Sequence, residues 1–226
     1  MRRGPSSSPR DWRTDLILEI IVLLLAAGLA IILHELAHGW VADKLGDPTA
    51  KLAGRLTVNP LAHLDPVGTI LVPGLLLLFS ILTKAPVILL GWAKPVPINP
   101  SYFRRPYRDL MLVGLAGPLL NLGLAGVGTA LWHPLSRAGP LLPEPLLLFV
   151  AGSIIINVVL AFYNLIPIPP LDGSRILAYF LPPRGRLFLH RLEPFGLFLA
   201  LGVVFLLWQT GLLDHLLRAL LRWLGL

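Results

Sequence analysis

From Leu16 to Leu33 the chain is apolar, broken only by Glu19, and this run decides what kind of protein it can be. Crossing a hydrocarbon core takes about 20 helical residues. Comparable runs recur at about 67–92, 110–132, 146–166 and 195–213. With 55% hydrophobic and only 14% charged residues, and a mean hydropathy of +0.76, the 226-residue chain lies outside ordinary soluble usage. Lipid offers no water to backbone N–H and C=O groups, so such runs span as helices. The expected fold is an all-α polytopic membrane protein, a bundle of about four to six transmembrane or re-entrant helices with a short membrane-associated β element.

The first run follows Arg2, Arg3, Arg10 and Arg13, which makes it resemble a secretory signal. It is too long for a signal h-region and continues into His34-Glu35-Leu36-Ala37-His38 without a small-residue cleavage site, so it is expected to be retained. The chain divides into a disordered tail at 1–14, a core at 15–213 and an amphipathic C-terminal helix at 214–226, where Asp214, Arg218 and Arg222 share one face.

A formal charge of +7 raises the question of nucleic-acid binding, but the basic residues cluster between apolar runs. Lys84, Lys94, Arg104, Arg105 and Arg108 form one group and Arg184, Arg186 and Arg191 another, the pattern that orients a chain in a bilayer and meets anionic headgroups. The partners expected are the lipid bilayer and a membrane-embedded substrate, not nucleic acid. There is no cysteine, so any metal must be held by nitrogen and oxygen.

The first helix is expected to run to about Leu45 and to stop at Gly46 and Asp47-Pro48. Arg55-Leu56-Thr57-Val58-Asn59, between Gly54 and Pro60, reads as a strand or hairpin at the membrane surface, able to take an opened substrate segment by β-addition. The stretch 67–92 is interrupted at Pro73-Gly74 and at Lys84-Ala85-Pro86, as in a re-entrant pair. The span 110–132, rich in Gly and Ala, suits the centre of a bundle.

His34 and His38 stand four apart, so on a helix both imidazoles project from one face and can reach one metal, with Glu35 beside them. Two histidines and a glutamate near the end of a span are costly groups in lipid, up to about 3 kcal/mol each, and such groups mark sites. Zinc held by two imidazoles needs a third protein ligand and keeps a fourth position for water. Glu19 lies about four turns earlier on the same helix, some 22 Å away, and is excluded. Asp172 stands at the proline-broken end of another span, where a carboxylate can turn inward. His63, His133, His190 and His215 lie beside prolines or charges and read as solvated.

His34-Glu35-Leu36-Ala37-His38, Gly117-Pro118-Leu119-Leu120-Asn121, and Asn164 leading to Leu171-Asp172-Gly173 occur in the order of the motif set of the site-2 proteases. With Gly54-Arg55 to Asn59-Pro60 and Gly91-Trp92 to Asn99-Pro100, the chain resembles this family from about residue 20 to 210, most closely its small prokaryotic members. The resemblance implies Zn2+ on His34, His38 and Asp172, Glu35 as general base, and Asn164 as a contact to the scissile backbone and donor to the oxyanion. Asn121 and Gly117 are read as packing residues. No PDZ-like domain is expected between the spans and no nucleotide-binding domain after them.

The function expected from these readings is an intramembrane zinc metalloendopeptidase that cuts transmembrane proteins or signal-peptide remnants, as a multi-pass protein of a prokaryotic cell membrane. The alternatives are a membrane zinc-handling protein or transporter and a non-catalytic scaffold.

Overall fold

The computed structural model describes residues 12–71, 74–75, 78, 82, 94–138 and 141–224. Residues 1–11, assigned above to the disordered tail, lie outside this set, and helix α1, Trp12–Lys44, begins directly after them. At about 1.5 Å per residue its 33 residues exceed a hydrocarbon core of about 30 Å. It stops where expected. Gly46 takes a φ of 106°, with its N–H on the Asp43 carbonyl at 3.1 Å and the Asp47 N–H on the Ala42 carbonyl at 2.9 Å. This bond pair closes the last carbonyls of the helix, and only a residue without Cβ enters that conformation unstrained.

After the short helix α2, Thr49–Leu52, the chain was expected to form a β element over Arg55–Asn59. No strand occurs among the described residues. The local groups that a strand would present to a neighbour are used differently. The Arg55 N–H bonds back to the Ala50 carbonyl, the Asn59 side chain caps the 3-10 turn Pro60–His63, and the Arg55 guanidinium reaches the Ala62 carbonyl. A β-rich composition makes a strand only where a partner chain completes the ladder.

Most of 67–92 lies outside the described residues, including both proline breaks that suggested a re-entrant pair; a π-helical turn covers Pro66–Leu71. Its flanks are described. The Lys94 N–H donates to the His63 carbonyl at 2.9 Å and the Asn99 N–H to Asp47 Oδ2 at 2.7 Å. Residues 47–63 and 94–99 therefore meet at one end of the bundle.

Helix α3, Pro106–Arg137, is the central element and packs against α1, against α4 at Glu144–Asn164 and against α5 at Asp172–Phe180. Its buried residues Asp109, Val113, Gly117, Asn121 and Ala125 repeat every fourth position, one continuous stripe. Glycines on it let neighbouring helices approach closely. Helix α6, Pro183–Leu192, leads through a 3-10 turn to α7, Gly196–Gln209, and then α8, Leu212–Leu224. The Trp132 indole N–H donates to the Leu224 carbonyl at 2.7 Å and ties α8 to α3.

Four stretches, Asp15–Lys44, Pro106–Arg137, Glu144–Asn164 and Pro183–Gln209, are long and apolar enough to cross a membrane. Leu24, Leu25, Phe198 and Leu206 are exposed on them, which suits contact with lipid. The chain is an all-α, multi-pass membrane protein. Its two basic groups lie together, since Arg186 stacks over the Tyr107 ring at 3.8 Å beside Arg104–Arg108. On the positive-inside rule this end is expected in the cytoplasm and the amino terminus outside. Single cysteines introduced as Ser7→Cys, Thr49→Cys, Ser101→Cys and Ser136→Cys, probed on intact cells with a membrane-impermeant maleimide, are expected to label at 7 and 136 only. Labelling that separates 49 from 101 would contradict the shared end.

Candidate metal centre

His34 and His38 project from the same face of α1 with their rings edge-on, centroids 4.6 Å apart. Asp172 reaches them from α5. It is the first residue of that helix, which starts tightly against the end of α4: a Cβ on Gly173 would lie 2.3 Å from the Leu165 carbonyl oxygen and 2.4 Å from that of Ile166. This explains the glycine after the aspartate. His34 Nε2, His38 Nε2 and Asp172 Oδ2 stand 3.0, 3.1 and 3.1 Å from one another, and all three residues are buried. Among the described residues they form the single group of three or more such side chains able to hold a metal.

The outer nitrogens decide what these atoms are. His38 Nδ1 lies 2.7 Å from the Val113 carbonyl, which can only accept, so Nδ1 carries the proton and Nε2 keeps its lone pair. His34 Nδ1 lies 2.8 Å from Asn121 Oδ1, with the same result. Two lone pairs and a carboxylate oxygen converging this closely repel each other unless a proton or a metal cation lies among them. Zinc bonds of about 2.0–2.2 Å give tetrahedral edges of about 3.3 Å, close to the spacing present. The donor set fits zinc. Gly117 of α3 completes the cradle, for a Cβ there would meet Nε2 of both histidines at 2.6 Å.

Glu35, Asn164 and Arg175 line the same small cavity of about 120 Å³ together with the three buried groups. Glu35 Oε2 accepts the Val96 N–H at 2.9 Å. In Lys94-Pro95-Val96-Pro97 the neighbouring prolines have no N–H, so Val96 is the amide presented there. The Asn164 amide donates to the Leu160 carbonyl of its own helix at 3.0 Å, and so the interhelical bond that would explain it as a packing residue is not what holds it. The Arg175 guanidinium lies 3.4 Å from the other Asp172 oxygen, Oδ1. Larger clefts lie elsewhere; one of about 510 Å³ holds Asp15, Glu19 and Glu144 at the opposite end of α1, which confirms that Glu19 is remote.

Two sequence readings change. Asn121 was read as packing, yet it holds a metal-facing histidine; its spacing of four from Gly117 put both on one face and could have revealed this. His63 was read as solvated, yet it is 2% exposed, with Nε2 donating to the Thr57 carbonyl at 2.8 Å under the loop that the absent strand leaves folded over it. His133, His190 and His215 are exposed, as expected. Val113 and Val96 act through backbone groups, which no residue-type pattern signals.

The family described as Peptidase family M50 matches residues 133–207. Curated relatives include a Bacillus subtilis protein named "Putative zinc metalloprotease YwhC", 40% identical over 181 residues, which are 77% of this chain and 75% of that protein. Relatives named "Putative zinc metalloprotease Rip2" match from two further species. The one from Mycobacterium tuberculosis is 31% identical over 88% of this chain and 78% of its own length, and that from Mycolicibacterium smegmatis is 30% identical over 73% and 59%. No solved structure matches. The extent and identity of the first match, over a helical membrane bundle with a zinc-competent donor set, show that the chain belongs to the site-2 protease family of zinc metalloproteases, peptidase family M50.

Proposed function

We propose that this metalloprotease is an intramembrane endopeptidase of a prokaryotic cell membrane, cutting transmembrane proteins or signal-peptide remnants with zinc held by His34, His38 and Asp172. The observation that carries the reading is where the three ligand atoms meet: on the first candidate span, beside the end of the Glu144–Asn164 span, under the buried stripe of α3. Zinc bound there supplies Lewis acidity and lowers the pKa of water.

The chain's own groups supply the rest. The Glu35 carboxylate, fixed through Oε2 by Val96, keeps Oε1 to take a proton from the attacking water and hand it to the leaving amine. Asn164 spends one amide hydrogen on Leu160 and keeps the second for the developing oxyanion. A substrate helix must unwind to enter, because its carbonyls are bonded within the helix and the cavity is small. A zinc-carrying role finds less support: no second group of metal ligands continues a path among the described residues, and Glu35 has no task in transport.

Asn164→Ala is expected to keep zinc and lose about 10²–10³-fold in turnover; an unchanged rate would remove it from the site. For the function as a whole, membrane fractions from cells carrying wild-type or Glu35→Gln protein are compared by proteomics. Fragments of membrane proteins, cut within their spans, should occur with the wild type alone. Identical fragment sets in both would refute intramembrane cleavage.

A further inference from the structure

His38 owes its tautomer to a backbone carbonyl directly, but His34 does not; its partner Asn121 is an amide, which can turn either its oxygen or its nitrogen to the ring. Turned the wrong way, Asn121 would donate to Nδ1 and move the proton to Nε2, onto the atom that faces His38 and Asp172. Something must hold the amide. Asn121 Nδ2 donates to Asn157 Oδ1 at 2.9 Å, and Asn157 Nδ2 donates to the Ser153 carbonyl at 2.8 Å. That carbonyl can only accept, so it obliges Asn157 to present nitrogen to it and oxygen to Asn121. Asn121 is then obliged to present oxygen to His34. Both amides are buried, at 0% and 4% exposure, so no water competes for these groups.

We infer that Asn157 of α4 is a positioning residue for the metal centre, setting the His34 tautomer through Asn121 by relaying the direction of the Ser153 carbonyl. This rests on the reading of His34 as a metal ligand. Groups that hold the outer nitrogen of a ligating histidine are worth about 10–100-fold in metal affinity. Asn157 is one step further out, and its effect must pass through Asn121. The relay also couples α1, α3 and α4, since rotation of α4 would break it.

The test is zinc affinity of the full detergent-solubilised chain, measured by competition with a chromophoric chelator, so that proteolysis is not the readout. Asn157→Leu removes the acceptor and should weaken zinc by about 10-fold, Asn121→Leu by a similar factor, and the double substitution by no more than either alone. Asn157→Asp, as the neutral acid, donates its O–H to the Ser153 carbonyl and keeps an acceptor toward Asn121, and should stay within about 3-fold of wild type. An Asn157→Leu protein within about 2-fold of wild type, or one whose loss multiplies in full with that of Asn121→Leu, overturns the inference. Should Asn157→Leu fail to fold by circular dichroism, Asn157→Asp decides: retained affinity supports the relay and a loss of about 10-fold overturns it. His34→Ala separates the two levels. Unchanged zinc affinity there overturns the ligand reading and the relay with it, whereas weakened binding in His34→Ala beside unchanged Asn157→Leu overturns the relay alone.

Discussion

Purified Glu35→Gln protein is expected to hold zinc at wild-type occupancy and to cut a transmembrane substrate about 10³–10⁴-fold more slowly. Zinc should stay because Glu35 is outside the group of three converging ligands. The local structure should stay as well, since the glutamine oxygen can accept the Val96 N–H as the carboxylate does. What disappears is the second carboxylate oxygen, and with it the capacity to take a proton; an amide nitrogen in its place has no lone pair to offer. Metal analysis and turnover on the same preparation read the two effects separately. Loss of zinc would make Glu35 a ligand or a support for one, and near-normal turnover would move the base elsewhere.

Gly117→Ala is expected to weaken zinc binding by about 100-fold or more, although alanine is the better helix former. The added methyl would sit 2.5 Å from His34 Cε1 and 2.6 Å from Nε2 of both histidines, inside any tolerated contact. Those rings cannot move aside cheaply, because Asn121 holds one and the Val113 carbonyl the other. A shift of the α3 backbone would also disturb its packing on α5, which is close enough that a Cβ at Gly114 would lie 3.1 Å from the Asp172 carbonyl oxygen and 3.2 Å from Arg175 Cβ. Gly123→Ala and Gly126→Ala provide the comparison, for neither position has any atom within 4 Å of the new carbon. Both should leave zinc affinity unchanged and gain up to about 1 kcal/mol of helix stability. Equal behaviour of all three variants by chelator competition would show that Gly117 does not line the metal position.

Local geometry was legible in the sequence wherever a short stretch of chain decides it. The apolar runs among the described residues become helices because lipid leaves their backbone groups no other partner, and α1 ends at Gly46 because the chain there needs a positive φ. His34 and His38 share a face by spacing alone. The expected β element over Arg55–Asn59 failed for the complementary reason: pairing needs a partner that no local pattern supplies, and the same absence left His63 buried where solvent was expected. Asp172, 138 residues from His34, stood out in the sequence through the order of the motifs, and only the packing of α5 against α3 brings its Oδ2 to both imidazoles. The remaining determinants belong to the tertiary structure outright. Asn121 meets His34 across 87 residues, Val96 meets Glu35 across 61, and Asn157 meets Asn121 across 36. Hydrogen-bond direction is set by whichever group packing brings alongside, so the choice of ring nitrogen left free for a metal is a property of the assembled helices and not of any segment of the chain.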